Sequence, residues 1–137
     1  MTILIRTAGP ADLDAVLRFW DEAEAEPSHT DDVDGLSRLF DRDPEAILVA
    51  EVRSQIIGSI IAGWDGWRGS IYRLAVHPDH RRRGLARRLL AEAEGRLADL
   101  GVRRVQAIVV ESDARATGFW RTSDWSEQVA RLRFVKG

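Results

Sequence analysis

The sequence predicts a single α/β domain, and three observations carry that prediction. The chain has 137 residues, inside the range of roughly 100–200 residues expected of one domain. Alternating and helical apolar periods follow one another in the order β-α-α-β-β-β-α-β-α-β. Apolar residues make up 45% and charged residues 31%, the mix of an ordinary globular core under a solvated surface.

Thr2 to Arg6 alternates as a short strand. Pro10 suits a first helical position, and Leu13, Val16, Leu17, Trp20 and Ala23 follow at helical spacing up to the acidic run ending at Glu26. A second helix is expected over Asp32 to Phe40, with Val33, Leu36, Leu39 and Phe40 on one face and Asp43-Pro44 closing it. Ala46 to Val52, Ile56 to Trp64 and Ser70 to Val76 read as strands. The Gly-containing stretch Asp65 to Gly69 between the last two marks an antiparallel hairpin. From Gly84 to Leu100, Ala86, Leu89, Leu90, Ala93, Leu97 and Leu100 share a helix face, and Gly101 is placed to end it. Arg104 to Val110 is strand-like, Ala114 to Thr122 a short helix, and Val129 to Val135 a final strand.

The absence of Cys excludes a disulfide framework, a thiolate metal site and a cysteine nucleophile. The N-terminal residues lack the apolar stretch of a signal peptide, and no run approaches the ~18 apolar residues of a membrane span, so the cytoplasm is the expected compartment. Charge is uneven: residues 1–51 hold 13 Asp/Glu against 4 Arg, whereas residues 52–137 hold 9 against 16 Lys/Arg.

The chemistry concentrates in Leu74-Ala75-Val76-His77-Pro78-Asp79-His80-Arg81-Arg82-Arg83-Gly84-Leu85-Ala86-Arg87-Arg88. A strand runs out, a donor-rich loop turns, and a helix begins where Gly84 and Ala86 have almost no side chain. A ligand can approach that backbone closely, and the free N–H groups and dipole of a helix start favour an anion. Five Arg between positions 81 and 88, with no acid among them, add bidentate phosphate donors. These features fit a pyrophosphate. Read from the residues alone, they leave its bearer unnamed and a solvated basic helix start as the bland alternative.

Arg81-Arg82-Arg83-Gly84-Leu85-Ala86 resembles the (Gln/Arg)-x-x-Gly-x-(Gly/Ala) loop of the GNAT superfamily of acyl-CoA N-acyltransferases, and Leu74-Ala75-Val76-His77-Pro78 resembles its lead-in strand. Within that superfamily the chain looks like small single-domain bacterial members, and loosely like the ribosomal-protein N-terminal acetyltransferase type. The resemblance implies one domain over residues 1–137: a mixed, mostly antiparallel twisted sheet flanked by about four helices. It implies that loop amides over Arg82 to Ala86 hold the pyrophosphate of acetyl-CoA, with Arg81, Arg87 or Arg88 reaching its phosphates. The pantetheine arm then pairs with strand backbone at Leu74, Ala75 and Val76, and the Val76 amide is the oxyanion donor.

The superfamily's second signature, Asn-x-x-Ala-x-x-Phe-Tyr-x-x-x-Gly-Phe, is met by Asp113-x-x-Ala116-x-x-Phe119-Trp120-x-x-x-Asp124-Trp125. The register is kept, placing Asp113, Phe119 and Trp120 toward the cofactor, but Trp120 replaces a Tyr that often protonates the leaving thiolate. An indole N–H donates a hydrogen bond and does not titrate. The leaving thiol should ionise near the ~8.5 of a free cysteine, which makes it a tolerable leaving group without an acid. The strand before the loop also lacks the usual Glu. Tyr72, otherwise a strand former, and Glu111, past the next strand, are the candidates for proton transfer.

Weak base machinery points to a weakly basic acceptor: an α-amine is roughly 10–15% neutral at pH 7, whereas a lysine is neutral in about one molecule in 2,500. Trp20, Glu24, Trp64 and Trp67 are the candidate acceptor-lining residues, with Glu22, Glu26 and Asp31 able to attract a cation or simply to solvate a helix face. His77 and His80 lack a third ligand, so no metal is expected. A net charge of -2 and the absence of aromatics among the arginines argue against nucleic acid. The expectation is direct acetyl transfer from acetyl-CoA to a primary amine of a peptide or small molecule, by a monomer or homodimer. No membrane or nucleic-acid partner is expected, and the rival reading is a non-catalytic acyl-CoA-binding or sensory module.

Overall fold

The computed structural model describes residues 2–23, 25 and 28–137; Glu24 and Glu26 lie outside the described residues. Residues 1–107 and 108–137 form two compact units. In the first, β1 (Leu4–Thr7) is followed by a single 3₁₀ turn at Pro10–Asp12, α1 (Leu13–Glu22), α2 (Val33–Arg42), β2 (Ile47–Val52), β3 (Gln55–Trp64), β4 (Gly69–Val76), α3 (Leu85–Asp99) and β5 (Val105–Ala107). The second holds α4 (Ala114–Arg121).

The strands form one sheet in the order β1-β2-β3-β4-β5; the first three ladders are antiparallel and β4–β5 is parallel. The α3 crossover explains the parallel pair, because strands running the same way need a long connection. The expected hairpin is present. Trp64 faces Gly69, and the Asp65 carboxylate accepts from the N–H groups of Trp67 (2.8 Å) and Arg68 (2.7 Å), which fixes the turn. Those bonds hold the Asp65 carboxyl below the usual carboxylate range.

Both faces of the sheet are covered. Leu13, Val16, Phe19 and Trp20 of α1 and Leu36 and Phe40 of α2 cluster with Ile47, Val49 and Ile61. Leu85, Leu89, Leu90, Ala93 and Leu97 of α3 are buried, Leu85 and Leu89 against Gly58 of β3. Strand residues pointing to opposite faces at alternate positions supply both packings, which is why β3 reads as a nearly unbroken apolar run. Truncating a fully buried leucine such as Leu89 or Leu97 to alanine costs about 2–5 kcal/mol.

At the chain end the sequence expectation fails. Val129 to Val135 alternates but forms no strand; Leu132 and Phe134 are 83% and 89% exposed. An alternating pattern supplies a strand face, whereas a strand also needs a partner ladder, and these residues join none. The strand predicted over 104–110 is likewise only Val105–Ala107, the length that pairs with β4.

Candidate functional site

β4 and the loop after it build the site. Pro78–His80 makes one 3₁₀ turn, capped by His77, whose Nδ1 accepts from the Asp79 N–H at 3.1 Å. Arg82 (φ +64°) and Gly84 (φ +77°) then lie in the left-handed region and turn the chain into α3. Such a turn at a helix start gathers amide groups into an anion-binding concavity. Gly84 caps α3 without a side-chain acceptor, the first turn holds no acid, and a Cβ at Gly84 would enter open space. The first intrahelical bond runs from Arg88 N–H to Gly84 O (3.1 Å), so the amides of Leu85, Ala86 and Arg87 precede any helical acceptor. The Leu85 side chain is buried, so it contributes its backbone alone.

The expected arginines divide. Arg82, Arg83, Arg87 and Arg88 are exposed around the loop. Arg81 turns inward instead: its Nε donates to Val76 O (3.1 Å) and an Nη to Ala23 O (3.1 Å). Its guanidinium braces the loop against the ends of β4 and α1, which corrects its expected place on a phosphate.

β4 carries a bulge. Ser59 faces Ala75, but Ile61 faces Tyr72, so Arg73 and Leu74 share one partner position. Arg73 has φ +53°, a conformation costing a side-chain-bearing residue about 1–2 kcal/mol. Its guanidinium pairs with Asp31 and lies 5.4 Å from the Trp20 ring centroid. Asp31, expected to attract a cation, is thereby matched by a charge of the protein's own. Past the bulge Val76 faces Gly58 while His77 N–H donates to Ile57 O (2.8 Å). In an antiparallel ladder that makes Val76 a non-hydrogen-bonded position, with its N–H directed away from β3. The β4–β5 ladder ends at the pair Ile71 and Ala107, so Leu74, Ala75 and Val76 lie beyond it.

Tyr72 is 56% exposed. Its ring lies over Gly63 of β3, where a Cβ would come within 3.2 Å of Tyr72 Cε2, so the absent side chain admits the ring. Trp20, expected at the acceptor site, is buried, with its Nε1 donating to Ser59 Oγ at 2.9 Å. Trp64 and Trp67 sit at the hairpin end of β4, separated from the loop by its eight residues, roughly 25 Å of strand. Trp67 stacks under Arg68, 4.1 Å from its ring centroid to the guanidinium carbon. Trp64 borders an open cleft of about 440 Å³ with Asp43 and Arg96.

In the second unit Glu111 is exposed, and Asp113 caps α4 by accepting from Ala116 N–H at 3.0 Å. Asp and Asn cap a helix about equally well, so the cap is kept where the signature has Asn. Phe119, Trp120 and Trp125 form an edge-to-face series with centroids 5.5 and 4.8 Å apart. No group of three or more His, Asp or Glu suited to a metal lies among the described residues.

Sequence reasoning missed Ser59, the only buried polar residue among those described. The signal was a lone hydroxyl inside the apolar run Ile56 to Ala62. It also missed Arg96, which bridges from α3 to Ala62 O and the Asp43 carboxylate.

Fold and loop together define a mixed α/β protein whose strand-loop-helix unit gathers free backbone amides and exposed arginines at the start of α3. The sequence pattern of the Acetyltransferase (GNAT) family matches residues 13–124. An acetyltransferase of Yersinia enterocolitica is 35% identical over 124 residues, spanning 90% of this chain and 88% of that one. The PaiA N-acetyltransferase of Thermoplasma acidophilum, solved with coenzyme A, has the same fold at 19% identity (TM-score 0.75, 88% of this chain and 87% of that one). So does AAC(6')-Iy, solved with a CoA-linked acetylneamine bisubstrate analogue, at 17% identity (TM-score 0.76, 100% and 99%). The chain belongs to the GNAT acetyltransferase family.

Proposed function

We propose that this acetyltransferase moves an acetyl group from acetyl-CoA directly to a primary amine in a ternary complex, in the bacterial cytoplasm, with residues 1–137 acting as one domain. The observation that carries the reading is the Arg82–Arg87 turn: successive backbone amides, an uncapped α3 start, exposed arginines and open space at Gly84. That cradle suits a pyrophosphate. Acetyl-CoA supplies an activated thioester. The protein's own groups bind and orient it: loop amides and Arg82, Arg83 and Arg87 at the phosphate end, and the outward N–H groups of Leu74 and Val76 along the arm, with the intervening Ala75 paired to Ser59 of β3. The amide of Val76 serves a carbonyl of the arm and the amide of Leu74 the acyl carbonyl, which moves the oxyanion role expected of Val76 two residues back along β4; withdrawing one oxyanion donor costs on the order of 3 kcal/mol in comparable sites.

Proton removal from the amine is assigned to Tyr72 on β4 or Glu111 beyond β5, both exposed. Asp113 caps α4, where Phe119 and Trp120 are half-buried with their rings edge to face. A weakly basic α-amine, of a peptide or a small molecule, is the favoured acceptor; Trp64 and Trp67, about 17 Å of strand from Leu74, are acceptor contacts for an extended peptide alone. The test is CoA release from acetyl-CoA with a panel of α-amino peptides and small amines, comparing wild type with Tyr72→Phe and Glu111→Gln. Turnover with an α-amine, lowered at least tenfold by one of the two variants, is expected. Acetylated protein accumulating before acceptor is added, or acetyl-CoA binding with no turnover on any amine, would overturn the reading.

A further inference from the structure

Buried polar groups in a strand core are retained only where they are hydrogen-bonded. Ser59, fully buried on β3, makes two such bonds: its Oγ accepts from Trp20 Nε1 at 2.9 Å and donates to the Arg73 carbonyl at 2.8 Å. Arg73 is the left-handed residue of the β4 bulge. The chain Trp20 N–H, Ser59 O–H, Arg73 C=O thus runs from α1 through β3 to the one peptide of β4 that departs from regular geometry.

That peptide is trans, as are all those described, so its C=O and N–H point in opposite directions. With the Arg73 carbonyl drawn to Ser59, the Leu74 N–H is directed to the opposite side. Leu74 lies past the point where the β5 ladder ends, and two residues farther from the phosphate loop than Val76. An arm running back along β4 from that loop meets Val76 first, and its acyl end comes to Leu74. Arg73 reinforces the geometry from its side chain, paired with Asp31 and set over the Trp20 ring, so the α1–α2 connection and the bulge are tied at the same point.

We propose that Trp20 and Ser59 are positioning residues that hold the Arg73 carbonyl and so aim the Leu74 amide at the acyl carbonyl. The proposal rests on the acetyl-CoA reading above. It assigns Trp20 a part in the reaction from within the core, without contact to the acceptor.

The test compares amide ¹H–¹⁵N spectra of the full chain saturated with acetyl-CoA and with CoA, in wild type, Ser59→Ala and Trp20→Phe/Ser59→Ala. The difference between the two ligands isolates the acetyl group. Ser59→Ala leaves the Trp20 N–H buried without a partner, whereas the double variant also removes that N–H and recovers part of the lost melting temperature. The expected result is an acetyl-specific shift at Leu74 in wild type, lost in both variants, while the amides of Gly84 to Arg87 respond to ligand in all three. With an acceptor in hand, kcat falls roughly a hundredfold in both variants, as for a misplaced reacting group, with acetyl-CoA affinity unchanged. A Leu74 shift that survives Ser59→Ala, is absent in wild type, or returns with stability in the double variant overturns the proposal while the loop still responds. Loop amides silent in wild type overturn the acetyl-CoA reading itself, and this proposal with it.

Discussion

Replacing Gly84 separates what the loop does for the fold from what it does for the ligand. Gly84 has φ +77° and nothing within 4 Å of where a Cβ would stand. Gly84→Ala therefore meets no steric clash and costs the left-handed backbone penalty, about 1 kcal/mol. At about 2.1 cal/mol/K per residue, 137 residues give an unfolding entropy of about 0.29 kcal/mol/K, so the free protein should melt about 3–4 °C lower. Acetyl-CoA at 100 times its dissociation constant should stabilise wild type by about 2.7 kcal/mol, a rise of about 9 °C by the same conversion. Gly84→Glu carries the same backbone penalty but sets a carboxylate at the amide cradle and should abolish the ligand-dependent rise. Thermal unfolding of the three proteins with and without acetyl-CoA reads both effects. A rise in Gly84→Glu equal to that of wild type would refute the reasoning, because the ligand would then be held elsewhere.

Arg96→Ala should strand the Asp43 carboxylate, whose side chain is 17% exposed, costing about 3 kcal/mol or about 10 °C in melting temperature; Arg96→Ala/Asp43→Ala should recover part of that loss. The Asp12 carboxyl is held below its usual range first by Arg6, whose Nη atoms donate to both its oxygens at 2.9 Å, and further by the Gly9 N–H. A depressed folded-state value stabilises above the unfolded pKa and is lost as pH falls through the folded one. Asp12→Asn should therefore melt about 3–4 °C below wild type at pH 7, about 1 kcal/mol for a partly exposed pair, with the gap closing in unfolding scans below about pH 4. Leu132→Ser and Phe134→Ser, at exposed positions, should each shift the melting temperature by less than about 2 °C; losses of 10 °C would show that residues 129–135 are packed into a sheet after all.

Local patterns sufficed for the order of elements up to residue 107 and for the turn that leads into α3. The helical spacing of Leu89, Leu90, Ala93 and Leu97 and the turn residues Asp65 to Gly69 are short-range signals, and they placed α3 and the β3–β4 hairpin correctly. Gly84 in the left-handed region and the acid-free helix start also follow from adjacent residues, because an amide cradle is built from consecutive backbone. The tertiary structure decided what depends on partners distant in sequence. Arg81 and Arg82 are neighbours of the same chemistry, yet Arg81 finds the carbonyls of Val76 and Ala23 and turns inward while Arg82 stays exposed. Trp20 lies on the apolar face of its helix and by sequence is also a candidate for the acceptor site; Ser59, 39 residues away, takes its N–H and holds it in the core. The β4 bulge needs β3 beside it before a register shift exists at all. Val129 to Val135 has the alternation of a strand and none of the pairing, since periodicity belongs to one segment and a ladder to two.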